Sequence, residues 1–374
     1  MHSAPILWAL SIALSRLPAA ETCAPIFTGL RSFQHSRPRM THQGWEAARY
    51  GIMAAFSCLH PWGSSMPITL QFGMTFGGRG GSIADDAVRL ENLGFDSIWA
   101  GEHIIWRHPM HDGLMTLAVA SSVTKRVLLG TSILLMPLKH PILVAKAVVT
   151  LDHASNGRAI LGVGVGGEYP KEFIAMGVKR EERGPRTNEA MQIMKRLWTE
   201  NNVTFKGRFW NLEDVSIEPK PVQKPCPPLF VGGRRGSIPR TALYGDGWIP
   251  YMYTPEMYRD GVKQIEEIAH KAGRDPSKIQ RTLYAFTSVA DSFEEAAGWS
   301  AAALGTNYAQ DFTQLVKKYP IVGTPKQCAE RMQQFVEAGV RHFILAPSGP
   351  ADKTKGFAEI YAKEIIPTLR KWNA

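Results

Sequence analysis

Cysteine is scarce in this chain of 374 residues. The four present (Cys23, Cys58, Cys226 and Cys328) lie far apart, with no Cys-x-x-Cys pair and no Cys/His spacing of a zinc module. A disulfide framework and a zinc domain are therefore excluded as organising principles. Long apolar runs are lacking too: the longest nearly free of polar residues is Ala4 to Leu14, short of the roughly 20 residues a membrane span needs. No membrane partner is expected. The net charge of +10 is scattered, without an aromatic-plus-basic RNA motif or a recognition helix, so no nucleic-acid partner is expected either. What the chain does have is 44% hydrophobic and 10% aromatic content, enough for a large core. Its length allows two ordinary domains, or one large α/β barrel of about 250 residues with additions.

Residues 1–65 read differently from the rest. They contain no Asp and no Lys, and their charges are five arginines against Glu21 and Glu46. A signal peptide needs a basic region before its apolar core, and only His2 precedes Pro5-Ile6-Leu7-Trp8. A transit peptide needs a clean amphipathic helix, which the pattern does not supply. The expectation is an N-terminal extension at 1–65, disordered or outside the mature fold and translated upstream of a start at Met66. Residues 66–374 then form the folded domain.

From Met66 onward, strand and helix signals alternate. Apolar, β-rich runs fall at Ile68–Met74, Ser97–Glu102, Val127–Met136, Arg158–Gly166, Pro228–Gly233, Gly247–Tyr251, Arg281–Ser288 and His342–Pro347. Between them lie helix signals. Ser82 is an N-cap before Val88, Leu90 and Leu93, and Pro141 opens a helix that Asn156-Gly157 closes. Met191, Met194, Leu197 and Trp198 share one helical face and read as core; further helices are expected at Pro255–Ala272 and Pro325–Ala338. Eight such alternations favour a closed (β/α)8 TIM barrel over an open doubly wound sheet. The stretch Asn201–Lys220 reads as a small hairpin insertion.

In such a barrel, chemistry gathers at the carboxyl ends of the strands. Those ends hold Glu102-His103, Ser132-Ile133, Gly164-Val165-Gly166-Gly167-Glu168, and Gly232-Gly233-Arg234-Arg235-Gly236-Ser237. His103 suits proton transfer near neutral pH. His108 and His111 follow it, but ligands from other strands are missing and no metal is expected. The glycine run lets a flat ring approach the backbone. Gly232 to Ser237 leads into a helix whose N-terminus, with Arg234, can face a phosphate. Trp99, Trp106 and Met136 stand between pocket wall and core.

The ordered strings GFDSIWAGEH, LLGTSILLMPLKHP, LDHASNGRAILGVGVGGEYPKEFIAMG, ERGPRTNEAMQIMKRLW, EPKPVQKPCPPLFVGG and YGDGWIP resemble the luciferase-like flavin- and deazaflavin-dependent oxidoreductase (monooxygenase) family. The resemblance runs from Met66 to about Trp372 and implies a luciferase-like (β/α)8 barrel. It implies that His103 sits near the reactive face of the cofactor ring with Glu102 as its acidic neighbour, both read as catalytic. It implies a non-proline cis peptide at Ser132-Ile133, ring-edge contacts at Gly164 to Gly167, and a phosphate loop at Gly232-Gly233. Glu168 lies one place beyond an acid that some deazaflavin members use. Two departures bear on the cofactor. Gly184 stands where many FMN members carry a tyrosine, and Gly233-Arg234-Arg235 replaces a Gly-Ser-Ser-like loop. Arginines suit the longer anionic tail of coenzyme F-420 (8-hydroxy-5-deazaflavin), so hydride transfer between F-420 and a small-molecule organic substrate is the favoured reading. Three alternatives stay open: an FMN-dependent monooxygenase using O2, a non-catalytic flavin-binding barrel, and a cofactor-free or metal hydrolase on the same fold. The resemblance further implies a cytoplasmic homodimer served by a separate cofactor reductase.

Overall fold

Short apolar runs make the strands and locally encoded caps start the helices. The computed structural model describes residues 69–77 and 81–373; the expectation for residues 1–65 lies outside these. Strand β1 (Gln71–Thr75) is followed by helix α1 (Ile83–Asn92), whose N-cap Ser82 accepts the Asp85 amide. Then come β2 (Ser97–Ala100), α2 (Gly113–Val123), β3 (Leu128–Thr131) with its short continuation β4 (Leu134–Leu135), and α3 (Pro141–Ala154). Next are β5 (Ala159–Gly164), α4 (Pro170–Ala175), α5 (Arg183–Thr199), and an antiparallel hairpin of β6 (Val203–Lys206) and β7 (Asn211–Val215). The hairpin falls where the sequence places an insertion. The chain continues through β8 (Leu229–Gly232), α6 (Ser237–Tyr244), β9 (Gly247–Ile249), α7 (Pro255–Lys271), β10 (Gln280–Val289) and α8 (Phe293–Tyr308). It ends with β11 (Ile321–Gly323), α9 (Pro325–Glu337), β12 (His342–Pro347) and short terminal helices. A full capping box between Thr324 and Gln327 opens α9.

Eight parallel staves close into a barrel in the order β1, β2, β3, β5, β8, β9, β10, β12, with β12 returning to β1 through Gln71↔His342 and Phe72↔Phe343. Closure runs through β9 and β10, at Gln280↔Gly247 and Arg281↔Trp248. These are the eight runs expected from the sequence. β11, three residues long, pairs with β10 beyond them and has too little periodicity to be read in advance.

The barrel interior is filled by Trp99, Ile160, Phe230, Ile249 and Ile344. Trp99 fits because Gly73 and Gly130 lack a Cβ, which at either position would overlap the indole. Its Nε1 donates to Ser97 Oγ at 2.8 Å, and Ser97 Oγ lies 2.7 Å from His342 Nε2. Burial pushes the His342 imidazole down to about 4, so this ring is neutral and serves the core. Trp99 and Met136 belong to the core, both fully buried. Outside the barrel, Met191, Met194, Leu197 and Trp198 of α5 pack with Val144, Ala145 and Val148 of α3 as one cluster, and Trp198 Nε1 donates to the Ala145 carbonyl.

Candidate active site

A cavity of about 660 Å³ opens at the carboxyl ends of the strands. Its wall includes Glu102, His103, Ser132, Ile133, Gly164, Val165, Gly166, Glu168, Gly232, Gly233, Arg234 and Ser237. Barrel closure thus brings together segments more than a hundred residues apart. Gly167 is not on this wall; its φ of 116° turns the chain, and the side chains of Arg180 and Arg183 lie behind it.

His103 follows β2 and is held from below. Its Nδ1 lies 3.0 Å from Oε2 of Glu172, a fully buried carboxylate on α4. The other oxygen of Glu172 accepts the amides of Ile104 at 2.7 Å and Ile105 at 3.1 Å. A carboxylate only accepts, so Nδ1 carries the proton and Nε2 remains for exchange. The imidazole stacks on Trp106, with centroids 3.7 Å apart and planes at 15°. Glu172 has no sequence signal beyond lying in the first turn of α4; its partner is 69 residues away.

Glu102, buried, pairs with Lys139 at 2.7 Å and accepts the Leu135 amide at 3.3 Å, while Lys139 also reaches Asp112 at 3.3 Å. Burial raises the Glu102 carboxyl above its ordinary range against the pull of Lys139. Next to it, the Ser132–Ile133 peptide is cis. The Ile133 side chain sits between Gly164 and Gly232, and a Cβ at either glycine would overlap it. These two glycines therefore serve Ile133 first, and whatever rests on Ile133 second. Ser132 Oγ is buried with no hydrogen-bond partner, an orphan that a bound group would satisfy.

At the opposite end, Gly236 is the N-cap of α6 and no side chain caps the helix; the Ser237 and Ile238 amides bond back to the Arg234 and Arg235 carbonyls at 2.8 and 3.2 Å, so it is the positive end of the helix dipole, with the arginines beside it, that suits an anion. Ser237 Oγ does not serve such a ligand directly: it donates to the Arg234 carbonyl at 2.7 Å and accepts Trp248 Nε1 at 2.9 Å. The cations are Arg234, Arg183 and Arg240. Sequence reading missed the last two. Arg240 Nε donates to Asn188 Oδ1 at 2.6 Å, its two Nη atoms lie 3.4 Å from the Gly184 and Gly236 carbonyls, and no carboxylate pairs with it among the described residues. Burial disfavours its charge. A Cβ on Gly184 would come within 3.3 Å of that guanidinium, so glycine at 184 leaves room for Arg240. The remaining wall holds Tyr251, Tyr284, Phe286 and Tyr308, with the Tyr251 hydroxyl donating to Glu168 at 3.0 Å.

Among the described residues, no group of three His, Cys, Asp or Glu could hold a metal, and no helix is long and apolar enough to cross a membrane. The orphaned Ser132 Oγ, the uncapped α6 N-terminus and Arg240 without a carboxylate fit a large anionic cofactor with a flat, polar-edged ring.

A closed (β/α)8 barrel with such a cavity at its strand ends is the architecture of an enzyme. The chain belongs to the luciferase-like monooxygenase family, whose model matches residues 62–342, and it is an oxidoreductase. It is 30% identical over 319 residues to an F420-dependent glucose-6-phosphate dehydrogenase of Kineococcus radiotolerans, covering 78% of this chain and 93% of that one. A protein of the same name from Intrasporangium calvum is 30% identical over 327 residues, covering 79% and 96%. Among solved structures, an F420-dependent secondary alcohol dehydrogenase in complex with an F420-acetone adduct superposes with a TM-score of 0.71 at 24% identity, covering 80% of this chain and 99% of that one. The monooxygenase RslO1 from Streptomyces bottropensis gives 0.67 at 24% identity, with the same coverage. Both share the fold.

Proposed function

We propose that this chain binds coenzyme F-420 and catalyses hydride transfer between it and a small organic substrate. The observation that carries the reading is Arg240, a half-buried guanidinium held by neutral oxygens and without a carboxylate, near an uncapped helix N-terminus and on the same cavity wall as Arg183 and Arg234. Three arginines around one helix end suit a multiply anionic tail, and the F420-dependent relatives support it. Arg183, Arg234 and Arg240 would hold the anionic groups, while Ile133, Val165, Gly166 and Ser132 Oγ would meet the ring. When bound, the deazaflavin supplies a two-electron hydride acceptor or donor.

The protein's own work is positional and acid–base. His103 takes the proton that leaves a substrate hydroxyl as its carbon becomes a carbonyl, and returns it in the reverse direction. Glu172 keeps the imidazole in the tautomer that this requires. Glu102, tied to Lys139, sets the course of the chain that presents His103. In this reading residues 66–374 are the catalytic unit, residues 1–65 stand outside it, and the enzyme is a cytoplasmic homodimer that shares its cofactor with a separate reductase.

Titration of the full chain with F-420 and with FMN, oxidised and reduced, followed by intrinsic fluorescence, tests the assignment. F-420 should bind with a Kd below about 100 μM and tighter than FMN, and Arg240→Gln should weaken F-420 more than FMN. Tighter FMN binding would move the protein to the oxygen-dependent reading, and binding of neither would end the oxidoreductase mechanism. His103→Ala should lower turnover by roughly 10² to 10⁴ with cofactor affinity retained.

A further inference from the structure

We propose that the substrate half of this cavity takes an uncharged hydroxyl or carbonyl compound with an aromatic or aliphatic body, and rejects sugar phosphates. The inference rests on the F-420 reading above. If the arginine end holds the cofactor's anionic groups, the space left beside His103 is walled by Trp106, Met110, Tyr251, Tyr284, Phe286 and Tyr308. None of these is a cation. Phe286 packs edge-on against Tyr284 at 5.3 Å and against Tyr308 at 6.1 Å, so these three rings form one aromatic patch.

The charge on this wall is the carboxylate of Glu168, which accepts the Tyr251 hydroxyl at 3.0 Å. Burial first, then Tyr251, Tyr284 and Glu168, disfavour ionisation of the Tyr308 hydroxyl, which stays neutral. A phosphate placed here would surrender its hydration beside a carboxylate, because the arginines of the cavity, Arg183, Arg234 and Arg240, are taken by the cofactor's anionic groups in this reading. Arg107, on the loop after β2, is exposed and is not part of the cavity wall. Its guanidinium lies over the rings of Trp106 and Tyr169 and donates to the Asn307 carbonyl. His103, held at Nδ1 by Glu172, offers the substrate Nε2 alone. An apolar ring or chain, by contrast, meets matching surface, and the tyrosine hydroxyls can bond a neutral oxygen. The glucose-6-phosphate activity named for the relatives is thus not expected to transfer to this chain.

The test is calorimetric titration of the full chain, alone and saturated with F-420, with 1-phenylethanol, acetophenone, glucose 6-phosphate and inorganic phosphate, followed by turnover of 1-phenylethanol and of glucose 6-phosphate with F-420. The expected result is binding of the neutral pair, with glucose 6-phosphate binding the F-420-loaded protein no better than inorganic phosphate. Phe286→Lys should weaken acetophenone about tenfold or more and strengthen phosphate. Glucose 6-phosphate that competes with acetophenone, or that is oxidised faster than 1-phenylethanol, overturns the proposal. Failure of both neutral ligands to bind overturns it as well. Failure of F-420 to bind overturns the cofactor reading instead, and the titrations of the protein alone still report which ligand class the wall accepts.

Discussion

The barrel interior and the cavity above it are built from the same strands, yet they treat polar groups in opposite ways. On β2, Ser97 and Trp99 look inward; Ser97 Oγ meets His342 at 2.7 Å and the indole at 2.8 Å, so three polar groups satisfy one another. A few residues on, the chain reaches Glu102 and His103, and beside them Ser132 Oγ is buried with no partner. On the β8 side, Phe230 fills the interior, while Arg240 beyond the strand end keeps a half-buried charge that only neutral oxygens meet. The interior is complete as it stands. The mouth holds groups whose partners arrive from outside, a local cost that the packed floor beneath it offsets.

The contrast breaks if damage below is felt above. Trp99→Ala should have the largest effect, about 3 to 5 kcal/mol of stability lost through the cavity it leaves, measured by denaturant unfolding; F-420 affinity of the folded fraction should stay within about threefold. A tenfold loss of affinity would show that floor and mouth are one unit. Next is pH. His342 is held near 4 when folded, against an ordinary value of 6.5. The unfolded chain therefore takes up this proton first, and stability present above about pH 6.5 is lost as pH falls toward 4, up to about 3 kcal/mol. Denaturation midpoints should fall over that window, and His342→Gln should flatten the slope.

Changes at the mouth should move function and spare the fold. Glu172→Gln removes a charged hydrogen bond worth about 1.5 to 3 kcal/mol, so turnover should drop roughly 10- to 100-fold with KM little changed. The pH–rate profile should shift, and the ¹⁵N shifts of His103 should report a changed tautomer. An unchanged profile would reduce Glu172 to a brace for the Ile104 and Ile105 amides. Ser132→Ala is the smallest change, within about 0.5 kcal/mol in stability and up to about tenfold in cofactor affinity. A more stable variant with unaltered affinity would mean that the orphaned hydroxyl serves no ligand.

Much of this frame is legible in the chain because its signals are local. Ser82, Pro141, Pro255 and Thr324 start helices through bonds or torsions within one turn, and apolar runs such as Ala159–Gly164 become fully buried strands. Strand ends then point to His103, Ser132 and Gly232. β11 escapes because three residues carry no period, and Gly167 misleads because a glycine run shows where the chain can turn, not which residue faces the cavity.

By itself, then, the sequence determined the alternation, the barrel and the rim where chemistry sits, since periodicity and capping act over a few residues. Only the tertiary structure decided that Glu172 holds His103, that Gly184 makes room for Arg240, and that Tyr251, Tyr284, Phe286 and Tyr308 form one wall. Those partners are far apart along the chain, and they meet only because barrel closure fixes eight strand ends around a single mouth.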